Sequence, residues 1–150
     1  MQEIEKILPH DRPMILIDKV LEINLEENYV VCDVNIHEKK IFFNKDINGI
    51  SPLVGIEFMA QAIGCYAFFK SGENNPKIGF LLGARSYTNS LEKFENGKTY
   101  TIKAKEMYDD GELVSFECFI YNDDKEVANA LINAFQPENT EEYIKWKRFW

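Results

Sequence analysis

The sequence predicts an α+β fold in which a curved antiparallel sheet of about five or six strands wraps around one long central helix. The first observation behind this prediction is the segment Pro52–Lys70, which is apolar on nearly every side of a helix. The second is a series of segments with alternating apolar and polar residues, separated by turn signals. An antiparallel sheet has one face to cover, whereas a helix that is apolar all round needs more than one surface to bury it. A sheet that curls around the helix meets both requirements.

Two strands are predicted before the helix. Ile4–Leu8 is expected to form one short helical turn, which Pro9 ends. Met14–Ile23 and Tyr29–Ile36 are rich in β-branched residues and partly alternating, and a polar turn joins them. Residues 37–51 show no regular pattern and are predicted to be irregular.

The central helix is predicted to follow Ser51, a favourable N-cap residue, with Pro52 in its first turn. A length of about 28 Å, at 1.5 Å per residue, would also suffice to cross a membrane. Glu57 and Gln61 lie within the segment, and amphipathic strands surround it. Both features favour a helix buried in a domain. We therefore expect no membrane association.

A meander of strands is predicted after the helix. A short strand around Lys77–Leu82 leads into it. Polar turns are predicted at Asp109–Gly111 and at Asn122–Asp124. The three long strands are Thr99–Met107, Leu113–Tyr121 and Glu126–Gln136.

Length and charge limit the classes of function. With 150 residues and 45% apolar content, residues 1–150 are expected to form a single domain with its own core. The 17 Lys and Arg residues against 25 Asp and Glu residues give a net charge of −8. Such a chain repels phosphate backbones and anionic lipids, so nucleic acid is an unexpected partner.

The cysteines and the N-terminus indicate a reducing compartment. Cys32, Cys65 and Cys118 are widely spaced among apolar residues, without a CxxC pair or a Cys/His cluster. They are expected to be small buried side chains, and no metal site is predicted. Acidic residues stand at the N-terminus where a signal peptide has basic ones, so the expected location is the cytoplasm.

Glu57 is the candidate catalytic residue, because it is the only acid in residues 47–71 and lies in the apolar helix. Burial raises the pKa of a carboxyl group and makes it a general acid or base near neutral pH. Gln61 lies one turn further on, where its amide is expected to orient the carboxyl group. The alternative is a structural carboxylate that reaches a dimer rim or a buried partner such as Arg12 or Arg85.

Three motifs resemble one enzyme family. The run LPHDRPMILIDKV at Leu8–Val20 resembles the N-terminal LPHRxPxLLxDxV of the 3-hydroxyacyl-acyl-carrier-protein dehydratases. GIEFMAQAIG at Gly55–Gly64 resembles the E-x-M-A-Q-x-x-G of their central helix, and Phe80–Arg85 is similar to their F-L-x-G…AR strand. The resemblance covers residues 4–90 by motif and the remainder by strand pattern.

The resemblance implies a hot-dog fold whose two protomers pair into one continuous sheet, as a homodimer or as a heterodimer with another hot-dog dehydratase. It implies an acyl thioester substrate, carried on the phosphopantetheine of acyl carrier protein or coenzyme A, and no other cofactor. In this family a His of one subunit and a Glu or Asp on the helix of the other remove water from a 3-hydroxyacyl chain. By this resemblance Val54, Gly55 and Gln61 are the substrate-binding candidates, with backbone N–H groups of the first two polarising the thioester carbonyl.

The chain departs from the family where the catalytic His is expected. The family has a G-H-F-P box between paired phenylalanines and the helix, whereas Phe42–Pro52 reads FFNKDINGISP, which is shorter and contains no His. Alignment from the phenylalanines places Asp46 at the missing His, and alignment from the helix places that position nearer Phe43. Ser51–Glu57 loosely resembles a subgroup associated with aryl-polyene biosynthesis, some of whose members act beside a second dehydratase-like subunit.

The two histidines have different expected roles. His10 either fixes the N-terminal segment or serves as a compensating general base. His37 stands at a strand end beside charged residues and is expected to lie in a solvated loop. At the C-terminus Glu141–Trp150 is predicted to be an amphipathic helix, which packs on the domain or docks a partner.

Three functions therefore remain open from the sequence. The first is a 3-hydroxyacyl-thioester dehydratase of fatty-acid or polyene-type biosynthesis, with Glu57 as acid/base group assisted by His10 or Asp46. The second is a non-catalytic partner subunit or acyl-binding protein, which the lost His box suggests. The third is a hot-dog thioesterase, in which a lone helix carboxylate activates water.

Overall fold

One long helix and nine strands make up the part of the chain that the structure, a computed structural model, describes: residue 4, residues 14–72 and residues 81–135. The helix is α1 (Gly55–Lys70), and a 3-10 turn at Pro52–Val54 leads into it. In chain order the strands are β1 (Lys19–Asn24), β2 (Tyr29–Asn35), β3 (Phe43–Asn44), β4 (Gly49–Ile50), β5 (Leu81–Asn89), β6 (Phe94–Glu95), β7 (Thr99–Asp109), β8 (Leu113–Asn122) and β9 (Lys125–Phe135).

Six of the strands form one antiparallel sheet in the order β1-β2-β7-β8-β9-β5. The short strands β3, β4 and β6 form a second, small sheet. One face of the large sheet packs against α1, which contacts β1, β2, β5, β7 and β8; we call it the inner face. The predicted α+β class, with about six strands around one helix, is therefore confirmed.

Turn residues define the meander of β7, β8 and β9. Asp110 Oδ1 accepts hydrogen bonds from the N–H groups of Glu112 and Leu113, at 3.0 and 2.8 Å, and Gly111 has a φ of +96°. Between β8 and β9, Asp123 adopts a φ of +54°, as a two-residue hairpin turn requires. The three long strands begin and end within two residues of their predicted limits.

The core lies between α1 and the inner face, and alternate residues of the central strands point into it. Tyr66 of α1 packs its ring edge-on against Phe116 of β8, with centroids 5.7 Å apart. The ring of Phe94 packs edge-on against Tyr100 at 5.0 Å and in a tilted arrangement against Phe58 at 4.9 Å. These aromatic contacts hold both halves of α1 in the core, through Phe58 in the first half and Tyr66 in the second.

The three cysteines are fully buried free thiols, as predicted. Burial raises the pKa of Cys118 to about 12, and the contact with Cys65 together with burial raises the pKa of Cys32. The thiols of Cys32 and Cys118 are therefore held neutral and make poor nucleophiles.

Two predicted strands differ from the observed ones. The strand predicted at Met14–Ile23 begins only at Lys19, because the backbone of Met14, Leu16 and Ile17 bonds to the Gln61 side chain of α1. The strand predicted around Lys77–Leu82 is observed as β5, at Leu81–Asn89; residues 77–80 lie outside the described part of the chain. So do most of the predicted Ile4–Leu8 turn and all of the predicted C-terminal helix.

The segment Pro52–Lys70 is long and apolar enough to cross a membrane, a criterion that core helices of soluble proteins also meet. Here the sheet covers most of its large apolar side chains. The buried ones are Phe58, Met59, Ile63, Tyr66 and Phe68.

Asp33 of β2 gives a prediction on stability. It is only 6% exposed, its Oδ1 has no hydrogen-bond partner in the described part of the chain, and Lys19 Nζ stands 3.9 Å from Oδ2. Burial raises the pKa of this carboxyl group, and Lys19 offsets part of the effect. Because an isosteric amide carries no charge to desolvate, Asp33→Asn is expected to raise the free energy of unfolding at neutral pH by about 1 kcal/mol.

The pH dependence of this effect has a definite sign. Since the pKa is raised in the folded state, the folded chain binds the proton more tightly than the unfolded chain does. Stability then falls as the pH rises through the interval between the unfolded and the folded pKa. The gain in free energy of unfolding from Asp33→Asn is expected to reach its maximum above that pH interval and to disappear below it. Urea unfolding measures this gain, with Asp124→Asn as a control at an exposed position. A variant that is less stable than the wild type at every pH would contradict the prediction.

Candidate active site at the start of the central helix

The N-terminal end of α1 is built by a closed backbone turn. Ser51 Oγ caps the 3-10 turn by accepting a hydrogen bond from Leu53 N–H at 3.3 Å. Val54 N–H donates to the Ser51 carbonyl at 3.1 Å, and Gly55 N–H donates to the Pro52 carbonyl. The expectation that these two N–H groups polarise a thioester carbonyl is therefore not met, because the turn itself uses both donors.

Tyr87 of the edge strand β5 connects that strand to this turn through a hydrogen bond. The Tyr87 hydroxyl donates to the Pro52 carbonyl and accepts a hydrogen bond from Asn89 Nδ2 at 2.7 Å. Burial raises the pKa of Tyr87, so the hydroxyl stays a neutral donor. Gly55 is required by the close approach, because a Cβ at this position would lie 2.2 Å from the hydroxyl oxygen.

Glu57 lies one turn after Leu53, on the side of α1 that faces away from the sheet. Its side chain is exposed and makes no hydrogen bond or ion pair with the described residues. The expectation of a buried carboxylate is therefore wrong for the single chain. One sheet covers one side of a helix, and on the other side Ala60 and Gly64 are also only partly covered. Arg85, one suggested structural partner, is itself exposed and forms no ion pair with Glu57.

Gln61 does not orient Glu57, since its amide binds the N-terminal segment. Gln61 Oε1 accepts hydrogen bonds from the N–H groups of Leu16 and Ile17, at 2.7 and 3.2 Å. Gln61 Nε2 donates to the carbonyl of Met14 at 2.8 Å. The Gln61 side chain is only 4% exposed. Its oxygen and its nitrogen both hold residues 14–17 against α1, one helical turn from Glu57.

A second polar anchor, which the sequence did not reveal, holds the same segment from the other side. The Lys40 ammonium group is nearly buried and donates to the Leu16 carbonyl at 2.7 Å and to Asp18. Asp18 also accepts a hydrogen bond from Asn35 N–H at 2.6 Å. Asp18 belongs to the LPHDRPMILIDKV motif, which is the signal that could have indicated this role, whereas nothing in the sequence distinguishes Lys40 from other surface lysines.

The other predicted site residues are not brought to Glu57 by any contact of the described chain. Asp46 is exposed in the turn between β3 and β4, where its N–H donates to Asn44 Oδ1 at 2.9 Å. His10 lies outside the described residues. His37 is exposed and accepts a hydrogen bond from Lys39 N–H at 3.2 Å, which confirms its prediction as a loop residue. Within the described ranges, no three His, Cys, Asp or Glu side chains are grouped to hold a metal ion.

A long helix packed on one face of a six-stranded antiparallel sheet is the arrangement of a hot-dog fold. The chain belongs to the ApeP-like family, described as ApeP dehydratase, which matches residues 2–145. This confirms the resemblance inferred from the motifs. The coarse assignment, a dehydratase-like hot-dog protein related to FabZ and ApeP, is thereby established.

Individual proteins with similar sequences are dehydratases as well. The 3-hydroxyacyl-acyl-carrier-protein dehydratase FabZ of Bacillus pumilus is 35% identical over 86 residues, which are 55% of this chain and 58% of that protein. FabZ of Chlamydia trachomatis is 28% identical over 109 residues, 70% of this chain and 71% of that protein. The chain thus spans less than two thirds of the length of the first curated relatives it matches.

A solved structure matches almost the whole chain. The dehydratase heterocomplex ApeI:P from Xenorhabdus doucetiae contains a chain that is 26% identical, with a TM-score of 0.85 and 98% of each chain covered. A chain similar to this one is therefore part of a dehydratase heterocomplex.

Proposed function

We propose that this chain is a cytoplasmic subunit of a 3-hydroxyacyl-thioester dehydratase, in which Glu57 is an acid/base group and a second hot-dog protomer completes the active site. The observation that carries the proposal is the position of Glu57. Its carboxylate is exposed on the uncovered side of α1, in a chain whose family is one of dehydratases. A catalytic carboxylate that is open to bulk water in the single chain needs a further surface to enclose substrate.

The edge strand β5 is where that surface is proposed to attach. β5 is the last strand of the large sheet, and residues 83–86 at its centre are exposed. Ala84 pairs with Ile132, which is fully buried, yet Ala84 itself is not covered by α1. An unpaired edge beside an uncovered strip of the inner face is a template for pairing with another strand. A second protomer paired along β5 would extend the sheet and cover the exposed side of α1.

The chemistry requires two groups. Dehydration removes a proton from C2 of the 3-hydroxyacyl thioester and releases the C3 hydroxyl as water, so one group accepts a proton and another supplies one. Glu57 is proposed to protonate the leaving hydroxyl, and an imidazole of the second protomer to take the C2 proton. Within this chain, His10 and Asp46 are the remaining candidates for the second role. The thioester is proposed to arrive on the phosphopantetheine of acyl carrier protein or coenzyme A, and no other cofactor is needed.

The test compares the chain alone with the chain mixed with each hot-dog dehydratase of the same organism that carries a Gly-His-Phe box. Hydration of a crotonyl thioester and dehydration of a 3-hydroxyacyl thioester are followed by the absorbance of the conjugated enoyl thioester, which falls in the first reaction and rises in the second. We expect a mixture to turn over substrate faster than the partner alone, and the chain alone to show no turnover. Turnover by the chain alone would contradict the need for a foreign partner and point to His10 or Asp46. No turnover in any mixture, or release of free thiol without loss of water, would contradict the dehydratase proposal.

A further inference from the structure

Two side chains of the edge strand β5 meet at one carbonyl group at the start of α1. Tyr87 and Asn89 lie two residues apart in β5, on the same face of the strand. Their partners in β9, Ala130 and Ala128, are buried, so this face is the one that looks toward α1. The Tyr87 hydroxyl donates to the Pro52 carbonyl. Asn89 Nδ2 donates to the Tyr87 oxygen at 2.7 Å and lies 3.5 Å from the same carbonyl oxygen.

The direction of each hydrogen bond in this network is defined. Asn89 Oδ1 accepts a hydrogen bond from Leu91 N–H at 2.7 Å, so the amide presents its nitrogen to Tyr87. The Tyr87 oxygen therefore accepts from Asn89, and its proton points to Pro52. Because burial raises the pKa of Tyr87, this proton stays on the hydroxyl at neutral pH.

The Pro52 carbonyl sets the backbone that carries Glu57. It also accepts a hydrogen bond from the N–H of Gly55, the first residue of α1. A carbonyl oxygen has two lone pairs, and the Gly55 and Tyr87 donors use both. Glu57 follows Gly55 by two residues, about 3 Å along the helix axis at 1.5 Å per residue. Movement of the Pro52 carbonyl is therefore passed through a closed turn to the Glu57 side chain.

Tyr87 is the residue that attaches β5 to this end of α1. The central residues of β5, Gly83, Ala84 and Ser86, are small and exposed, whereas Tyr87 packs against the core. Gly55 leaves the space that the hydroxyl occupies, since a Cβ there would lie 2.2 Å from the hydroxyl oxygen. A hydrogen bond is directional, so the hydroxyl fixes the turn more narrowly than packing of the ring alone would.

We propose that Tyr87 is a positioning residue for Glu57, whose hydroxyl holds the start of α1, and with it the carboxylate, at a fixed place relative to β5. The part of Glu57 in the reaction rests on the proposed function. Because the second protomer is proposed to pair along β5, the same bond also sets the carboxylate relative to that protomer. A displacement of a reacting group by about 1 Å can lower turnover by about 100-fold.

The first measurement removes the hydroxyl with Tyr87→Phe and follows hydrogen exchange of backbone N–H groups in the chain alone. We expect the N–H groups of Gly55 and Glu57 to exchange about 3- to 10-fold faster, relative to that of Ile120 in β8, because one hydrogen bond that holds the turn is lost. Tyr121→Phe removes a hydroxyl from a residue of β8 outside the core. As the matched control it is expected to leave these relative rates unchanged.

The second measurement is turnover in the mixture that is active as a dehydratase. We expect Tyr87→Phe to lower kcat by about 10- to 100-fold with little change in KM. In a chain that already carries Glu57→Gln, the same substitution is expected to cause no further loss, because Tyr87 acts through the carboxylate. A residue that only stabilised the domain would lower activity by the same factor in both backgrounds.

Four results would overturn the inference. Unchanged exchange at Gly55 and Glu57 would show that the hydroxyl does not hold the turn. An unchanged kcat, or an equal fall with and without Glu57→Gln, would show that Tyr87 does not act through the carboxylate. A rise in KM alone would show that the hydroxyl contacts the substrate. If no mixture is active, the dehydratase proposal fails, and the exchange rates alone decide whether Tyr87 holds Glu57 in place.

Discussion

Replacing Glu57 by Gln is expected to lower kcat/KM of the proposed dehydratase assembly by about 100- to 10,000-fold, the range in which a positioned acid/base group contributes to catalysis. The amide has the same shape and can still hydrogen-bond to the hydroxyl of the substrate, but it cannot donate and recover a proton at neutral pH. KM is expected to change little, because the lost interaction is one made in the transition state. Steady-state kinetics on the crotonyl and 3-hydroxyacyl thioesters measure both parameters.

The exposure of Glu57 makes this test specific. Because its side chain contacts none of the described residues through a hydrogen bond or ion pair, Glu57→Gln is expected to leave the urea midpoint of the single chain unchanged. Glu38→Gln makes the same change of charge at an exposed position in the loop after β2 and serves as the control for activity. An active Glu57→Gln assembly would exclude the carboxylate from the reaction and favour a non-catalytic role for this chain.

The parts of the fold that could be predicted from the sequence are those determined locally. Alternation of apolar residues and turn signals such as Asp109–Gly111 specify β7 and β8 with little help from distant contacts. The helix was found from the apolar segment Pro52–Lys70, and only its first three residues proved to be a 3-10 turn. These predictions hold because the secondary structure that the local sequence favours is also the one that packs in the folded chain.

The strand β5 was misplaced because it lacks those local signals. Its central residues Gly83, Ala84 and Ser86 are small, and neither face of the strand is fully covered in the single chain. A strand at an edge needs no apolar alternation when the surface that covers it belongs to another molecule. The alternation of apolar residues reflects burial within one chain. It therefore fails to indicate an edge strand that the chain itself does not cover.

The sequence singled out Glu57 but did not predict its surroundings. Glu57 was found as the one acid in an apolar helix, yet an apolar pattern on all sides does not tell which side the sheet covers and which side stays open. The roles assigned to Val54 and Gly55 failed because the number of free N–H groups at a helix start depends on the turn before it. Lys40 could not be found, since its burial depends on a tertiary contact with Leu16 and Asp18.

Replacing Gln61 is expected to lower the stability of the domain strongly. Gln61→Met keeps the length of the side chain but removes its three hydrogen bonds, which leaves the N–H groups of Leu16 and Ile17 and the carbonyl of Met14 without these partners. Since a buried polar group left unpaired costs about 1 to 3 kcal/mol, the free energy of unfolding is expected to fall by about 3 kcal/mol. Urea unfolding measures the loss, and a loss below about 1 kcal/mol would show that water replaces the amide.

Gln61→Glu separates the hydrogen bonds from the simple presence of a side chain at this position. The introduced carboxylate still accepts from Leu16 and Ile17 but cannot donate to the carbonyl of Met14, and its charge is buried. Protonation restores the missing donor, and burial beside a carbonyl oxygen raises the pKa of the introduced group in the folded state. The stability of this variant relative to the wild type is therefore expected to rise as the pH falls through that raised pKa, whereas the deficit of Gln61→Met stays constant with pH. If the free energy of unfolding of the two variants changed with pH in the same way, the Gln61 amide would not be the group that holds residues 14–17 against α1, one helical turn from Glu57.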